Sequence, residues 1–165
     1  MGLMTWKGFT IGGVFKDLSH LTPFGITVDI NGTQVSVVFS YHNHVFTDKK
    51  AAGEKLRIQG ETRYWSEDRY ELSRTLPELI RAQFLDKYAV PYLNKDSNEQ
   101  YHYMEIHDYA IFFEISTPTK SPNELRVKII SAYEPDRWGA GTLPKGKAYK
   151  VRWILSKRYN GEFVL

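Results

Sequence analysis

The stretch ITVDINGTQVSVVFSY, residues 26–41, predicts a β-hairpin at which the sheet of this chain begins. β-Branched and aromatic residues alternate with polar residues on both sides of Asn31 and Gly32. An Asn-Gly pair supplies the two positive-φ residues of a type I′ turn, which suits two antiparallel strands. The second arm leads into His42 and His44. Residues two apart on a strand point to one face, so both imidazoles are expected to share a sheet face.

The main helix is predicted within RYELSRTLPELIRAQFLDKY, residues 69–88. Thr75 and Glu78 have the spacing of a capping box, and Pro77 lies in the first turn, where its missing N–H costs nothing. Apolar residues then recur at helical spacing, namely Leu76, Leu79, Ile80, Phe84 and Tyr88. This pattern predicts a helix over about 76–88 with one apolar face.

Four later segments have the period of two that is typical of strands. Residues 101–106 and 109–116 predict a hairpin turning at His107 and Asp108, and residues 125–133 and 148–156 predict two more strands. Short turns favour an antiparallel arrangement. The predicted fold class is therefore α+β: an N-terminal β-hairpin, one main helix, then a four-stranded antiparallel β-meander with the helix packed on one face.

Length and composition exclude several classes of protein. A chain of 165 residues is expected to form a single domain, residues 1–165. It has no cysteine, which excludes disulfides, thiolate metal sites and a cysteine nucleophile. No apolar stretch approaches the roughly 18 residues of a membrane span. We therefore expect a cytoplasmic protein without a membrane partner.

The net charge of +3 permits a polyanionic partner but does not require one. Basic residues interleave with aromatic residues late in the chain, and two lysines follow the histidine pair. The candidate nucleic-acid-binding residues are Lys49, Lys50, Arg137, Trp138, Lys150 and Arg152. The alternative is a solvated charged edge without a ligand.

His42 and His44 leave two interpretations open once metal binding is set aside. Zinc usually takes three or four protein ligands, and no Cys/His or helical ligand spacing is present, so we predict no metal site and no cofactor. A catalytic pair needs a further titratable group and cations that no spacing rule brings near. The alternative is two polar residues at the end of a strand.

The strand predicted at residues 125–133 carries two hydroxyl groups at its end. Alternation places Ser131 and Tyr133 on the same face as Leu125, Val127 and Ile129. The two hydroxyls either close the core row at the rim of the sheet or face a surface where an anion is held.

Three segments in this order carry a resemblance: HVFT (44–47), RYELSRTLPELI (69–80) and ELRVKIISAYEPD (124–136). Their succession resembles phage- and toxin-type domains of the barnase–EndoU–colicin–RelE ribonuclease superfamily. The resemblance covers about residues 40–157, with residues 1–39 as an N-terminal extension and hairpin. It implies metal-independent cleavage of RNA, in which the 2′-hydroxyl attacks the adjacent phosphate, by a toxin or a phage or mobile-element effector.

The resemblance also implies roles for individual residues. His44 would be the general base or acid, and His42 its helper or the second proton carrier. Arg69 and Arg74 would neutralise the phosphate, and Ser131 and Tyr133 would bind the phosphate or stack a base. RNA would be the substrate, and an antitoxin, immunity or host protein a possible partner. The alternative is a non-catalytic phage-encoded protein that binds a host or defence factor or nucleic acid.

Overall fold

The structure is a computed structural model that describes residues 3–94, 99–135 and 143–164. Strands make up 46% of the described residues, and the helices among them are short. The predicted fold class is wrong: a curled seven-stranded sheet takes the place of one main helix on a four-stranded meander. Nowhere in the described ranges does a helix have the length and hydropathy to cross a bilayer.

The described elements are as follows. The strands are β1 (Gly8–Ile11), β2 (Val14–Asp17), β3 (Phe24–Ile30), β4 (Thr33–Tyr41), β5 (Thr47–Asp48), β6 (Lys55–Ile58), β7 (Glu61–Trp65), β8 (Tyr88–Asn94), β9 (Glu99–Ile106), β10 (Tyr109–Ser116), β11 (Glu124–Tyr133) and β12 (Tyr149–Lys150). The helices are α1 (Glu67–Ser73), α2 (Leu76–Gln83) and α3 (Val151–Tyr159), with 3-10 turns at Ser19–Leu21, Asn43–Val45 and Phe84–Asp86.

The large sheet has the strand order β12-β8-β9-β10-β11-β4-β3. Its pairs are antiparallel except β11 and β4, which run parallel from Glu124 opposite Ser36 to Ile129 opposite Tyr41. The meander prediction missed this pair because no turn links the two strands. Both present apolar rows to one core, and burying those rows together favours the pairing. The expected extension, residues 1–39, thus supplies β3 and most of β4.

Two predicted turns are present within this architecture. Asn31 and Gly32 have φ values of 52° and 87° and connect Ile30 to Thr33 in the β3–β4 hairpin. β9 and β10 turn at His107 and Asp108. These two hairpin predictions are confirmed. Each depends only on residues that are close together in the sequence.

The helices differ from the prediction in the middle of the chain and near its C-terminal end. The helix predicted over 76–88 ends at Gln83 and continues as a 3-10 turn, and α1 precedes it as a separate helix. Residues 148–156 were predicted as a strand, but only Tyr149 and Lys150 form one, the short β12, and residues 151–156 belong to α3. Val151, Ile154 and Leu155 are fully buried there, whereas Trp153 is 42% exposed. These three buried residues have the i, i+3 and i+4 spacing of one helix face. This spacing favours a helix here, although the amino-acid composition of the segment favours a strand.

A β-bulge changes the faces of β11. Ser131 pairs with Phe112 but Ile129 pairs with Phe113, so Ile130 is the extra residue. Ala132 is consequently buried in the core, and Ser131 and Tyr133 lie on the opposite face, with Lys128. The predicted single row from Leu125 to Tyr133 is therefore wrong, because alternation alone does not indicate a bulge.

Residues 47–65 contain the small sheet, with the strand order β5-β7-β6. Gln59 and Gly60, with φ of 51° and 82°, make the turn between β6 and β7. Only glycine fits at position 53, between β5 and β6, since a Cβ there would lie 1.9 Å from the carbonyl oxygen of Trp65. The small sheet places Glu61 beside the turn that follows β4.

Candidate active site

The end of β4 is held against β11 and then turns sharply. The amide of His42 donates to the carbonyl oxygen of Ile129 at 2.9 Å, and Val45 N donates to His42 O at 3.1 Å to start the 3-10 turn. This turn brings the ring centroids of His42 and His44 to 4.3 Å from each other. The two imidazoles meet through the turn, not through strand spacing.

β7 supplies a carboxylate to this pair. His44 Nε2 lies 2.6 Å from Glu61 Oε1, and the two side chains are 28% and 40% exposed. Because a carboxylate only accepts, Nε2 carries the proton and Nδ1 of His44 keeps its lone pair. Arg63 Nε lies 3.6 Å from the same oxygen. We call His42, His44 and Glu61 the rim cluster.

Both imidazoles of the rim cluster are unprotonated at neutral pH. Burial, together with the charges of His44 and Lys128, lowers the pKa of His42 to about 4. Burial also lowers the pKa of His44, more than the hydrogen bond with Glu61 raises it. Burial alone would raise the pKa of Glu61, but the His44 hydrogen bond and nearby positive charges hold it below its usual range. Two neutral imidazoles therefore face one ionised carboxylate.

Arg69 supports the backbone of the cluster. Its NH1 donates to the carbonyl oxygens of His44 and Thr47, both at 2.9 Å. The guanidinium also lies 4.8 Å from the ring centre of Tyr133, and its side chain is only 17% exposed. Arg69 thus stabilises the turn at His44. Its NH1 group donates to two carbonyl oxygens, and a phosphate would need the same donor.

Arg74 lies apart from the histidines. It caps the C-terminal end of α1, with NH1 3.6 Å from Glu71 and the guanidinium 6.0 Å from the ring of Tyr70. Its charge lowers the pKa of His20. It is not among the main causes that shift the pKa of His42 or of His44. The structure does not bring Arg74 together with the rim cluster.

Ser131 and Tyr133 lie on the face of β11 opposite its buried row, which we call the open face. Tyr133 stacks on Phe112 with 6.0 Å between ring centroids and reaches the rim cluster through Arg69. Lys128 lies on the same face of the strand, opposite Ser40 of β4, and its charge acts on His42. The open face therefore offers a cation and aromatic rings beside the imidazoles.

The predicted nucleic-acid-binding residues that the structure describes lie in two places. Lys49 and Lys50 line a cleft of about 870 Å³ together with Arg69 and Tyr133. The same cleft carries four acidic residues, Asp48, Asp68, Glu71 and Glu134, and no member of the rim cluster. Its mixed charge gives a polyanion no net attraction.

Lys150 and Arg152 stand at the start of α3, beside the edge strand β12. Arg152 Nε pairs with Asp86 at 3.3 Å. Strands β8 to β11 separate this edge from β4, so these two residues are distant from the histidines. Arg137 and Trp138 lie outside the described residues.

A comparison with family models bears on the whole of this architecture. The model described as the YjaZ family matches residues 8–159. The chain belongs to the YjaZ family. We found no significant match to it among curated proteins or among solved structures. The family match states no activity, and none of these comparisons links the chain to the ribonuclease superfamily that its motifs resemble.

In this YjaZ-family chain the rim cluster also has the donor set of a metal site. One nitrogen from each of His42 and His44 and one oxygen of Glu61 all lie within 4.8 Å of one another. A metal site was discounted from the sequence because a third ligand was missing. The small sheet supplies that ligand.

Sequence reasoning missed Glu61, Arg63 and Lys128. Glu61 and Arg63 were detectable in principle, because Gln59-Gly60 lies between two short alternating segments, a hairpin pattern. No sequence pattern pairs the strand of Lys128 with β4. The effect of its charge on His42 depends on the parallel β4–β11 pairing.

Proposed function

We propose that this chain is an endoribonuclease that cleaves RNA by 2′-hydroxyl transphosphorylation at the rim cluster, without a metal cofactor. The observation that carries the proposal is the 2.6 Å contact between His44 and Glu61 beside the imidazole of His42. Transphosphorylation needs one group to take the 2′-hydroxyl proton and one to protonate the leaving oxygen. The sequence resemblance suggests the reaction class.

His44 is assigned the role of general base. Glu61 accepts the Nε2 proton of His44, which leaves Nδ1 as the proton acceptor. The carboxylate then stabilises the imidazolium that forms after the 2′-hydroxyl proton is taken. This is the role that a buried carboxylate plays beside a catalytic histidine in general.

His42 is assigned the role of second proton carrier. Its ring lies close enough to that of His44 for both to contact one phosphodiester. Although burial lowers the pKa of the free imidazole to about 4, a bound phosphate anion favours the protonated form. Substrate binding thus loads the proton that the leaving 5′-oxygen needs.

Cations and aromatic rings near the cluster suit an RNA substrate. Lys128 on the open face and Arg63 on β7 supply positive charge for the additional negative charge of the transition state. The rings of Tyr92, Phe112 and Tyr133 follow one another across the open face, with centroid distances of 6.5 and 6.0 Å. Bases of single-stranded RNA stack on such rings without sequence preference.

The test is cleavage of a single-stranded RNA and of its all-deoxy counterpart in EDTA. We expect RNA fragments that end in a 2′,3′-cyclic phosphate and no cleavage of DNA, which lacks the attacking hydroxyl. His44→Ala should lower the rate by about 10²- to 10⁴-fold. His107→Asn is the matched control, because His107 is exposed at a turn with φ of 55°, which asparagine tolerates. Equal rates for parent and His44→Ala would refute the assignment of the base.

A non-catalytic binding protein is the second candidate, favoured by the use of the arginines. Arg63 and Arg69 both donate to the carbonyl oxygen of Thr47, which leaves fewer of their N–H groups for a phosphate. Val14 and Phe15 of the β1–β2 hairpin are 57% and 60% exposed, which suits a protein partner. A tight complex that survives His44→Ala with Ser131→Ala, in a protein without RNA turnover, would favour this candidate.

A further inference from the structure

We infer that His42, His44 and Glu61 form a binding site for one divalent transition-metal ion of the zinc class. The three ligand atoms lie within 4.8 Å of one another, and no other such group of three or more His, Asp or Glu side chains occurs in residues 3–94, 99–135 and 143–164. The inference concerns binding and holds whether or not the chain cleaves RNA.

The donor set matches the coordination chemistry of zinc. Two imidazole nitrogens and one carboxylate oxygen are a common three-ligand set, and they leave the fourth tetrahedral position open. Zinc–ligand bonds of about 2.0–2.2 Å place neighbouring ligand atoms about 3.4 Å apart. The present spacings extend from 2.6 Å to 4.8 Å, so an ion between them requires small side-chain rotations. His44 and Glu61, at 28% and 40% exposed, are free of the close packing that would prevent such rotations.

The backbone that carries the ligands is fixed. Thr47 Oγ1 donates to the carbonyl oxygen of Asn43 at 2.9 Å, and Arg69 clamps the carbonyls of His44 and Thr47. His42 is tied to β11 through its amide. Only side-chain freedom is lost on metal binding, which favours affinity.

Nearby charge selects the kind of ion. Arg63 lies 3.6 Å from Glu61, and the positive charge of Lys128 reaches His42, so a cation that binds through electrostatic attraction alone is disfavoured. Imidazole nitrogens bind zinc, cobalt, nickel and copper strongly, whereas magnesium and calcium need sets of oxygen ligands. The site should therefore take Zn²⁺ or Co²⁺ and reject Mg²⁺.

Metal binding and proton transfer exclude each other at this site. Zinc at Nε2 of His44 displaces the proton from that nitrogen, and the remaining ring proton then lies on Nδ1, which can no longer accept one. Bound zinc should therefore inhibit RNA cleavage. This consequence, unlike the binding itself, rests on the proposed function.

The experiment is a titration of the metal-free full chain with Co²⁺, followed by visible absorption, and with Zn²⁺, followed by calorimetry. We expect one ion per chain and weakening of at least tenfold in His42→Ala and in Glu61→Gln. His107→Asn and Glu71→Gln, a histidine and a glutamate exposed elsewhere, should bind as the parent does. Circular dichroism establishes that each variant is folded.

The outcomes separate the two proposals. Absence of binding, or equal affinity in parent, His42→Ala and Glu61→Gln, would overturn the metal site even if RNA is cleaved in EDTA. Zinc binding at these residues without RNA cleavage would uphold the site and refute the ribonuclease. Cleavage that requires zinc would uphold the site and refute the metal-free mechanism.

Discussion

Two histidines of this chain have a pKa lowered to about 4, and in both burial is the largest cause. His102 is fully buried in the middle of β9, with its ring stacked 5.0 Å from that of Phe113. His42 lies at the end of β4, partly exposed, with its ring beside His44. A lowered pKa therefore does not mark a functional residue. Solvent access and a second titratable partner distinguish the two sites.

The surroundings of His102 indicate packing. Its neighbours along the core face of β9 are Gln100 and Met104, both buried. The positive charge of Arg158 on α3 lowers the pKa of His102. The guanidinium of Arg158 itself donates hydrogen bonds to the side chain of Gln100 and to the carbonyl oxygen of Ile115. Protonation of His102 therefore destabilises the folded state. The histidines of the rim cluster, in contrast, are partly exposed and within reach of a ligand.

The largest expected effect is on catalysis. His42→Ala should lower RNA cleavage by about 10²- to 10⁴-fold, because a proton carrier is lost. The free energy of unfolding at pH 7 should change by less than about 1 kcal/mol, since His42 is partly exposed. Single-turnover cleavage and urea unfolding measure the two effects.

His102→Ala should show the opposite pattern. A cavity beneath Phe113 should destabilise the fold by about 2–4 kcal/mol, while the folded fraction cleaves RNA at the parent rate. If both variants lose activity equally, the distinction between the two histidines fails.

Next in size is the dependence of stability on pH. The folded pKa of His102, about 4, lies below its unfolded value of about 6.5, so stability is intact above pH 6.5 and falls as the pH drops toward 4. One buried imidazole then accounts for a loss of about 3 kcal/mol at pH 4. His102→Phe keeps an aromatic ring and does not titrate, and so should remove that loss. Urea unfolding at pH 7 and pH 4 tests this, and a loss as large as the parent's would contradict it.

A smaller effect separates Arg69 from Arg74. Arg69→Met removes two charge-assisted hydrogen bonds to carbonyls and should destabilise by about 2 kcal/mol, with cleavage reduced about tenfold through the His44 turn. Arg74→Met, at a side chain 58% exposed, should change stability by less than about 0.5 kcal/mol. Thermal unfolding and cleavage rates distinguish them, and equal losses in both variants would contradict the supporting role of Arg69.

The smallest effect is expected at the cleft. Replacing Lys49 and Lys50 by alanine should weaken binding of a non-cleavable deoxy strand by less than tenfold, because four acidic residues share that cleft. Two lost phosphate contacts would lower the slope of log K against log salt by at most about 1.4. Fluorescence anisotropy over a range of salt concentrations measures the slope. A larger loss would make the cleft, and not the open face, the main binding surface.

Features coded by adjacent residues were predictable, and those that depend on distant pairing were not. Asn31-Gly32 fixes a hairpin by its own backbone preferences. The parallel β4–β11 pair has no connecting turn and is selected by a shared core. The start of α3 was misassigned because Val151 and Trp153 favour strands, while the buried spacing of Val151, Ile154 and Leu155 is helical.

The candidate site was predictable to the same extent. Only one residue separates His42 from His44 in the sequence, and the 3-10 turn that begins at Asn43 brings their rings together. Glu61 joins them only through the small sheet, in which Thr47 pairs with Trp65. Arg69 was identified as important, but its place was decided by which carbonyl oxygens lie within its reach. The bulge at Ile130 leaves no periodic trace, so the face of Ser131 was assigned wrongly.

The hydrogen bond from the amide of His42 to the carbonyl oxygen of Ile129 has a consequence for biosynthesis. It joins an early part of the chain to a late one through a parallel pair, a contact that forms slowly because a long loop must close. A ribosome must therefore have translated β11 before the histidine turn has its anchor. A nascent chain without β11 lacks the strand that holds His42 in place, so the proposed RNA-cleaving activity would stay off beside the ribosome until that strand has been made.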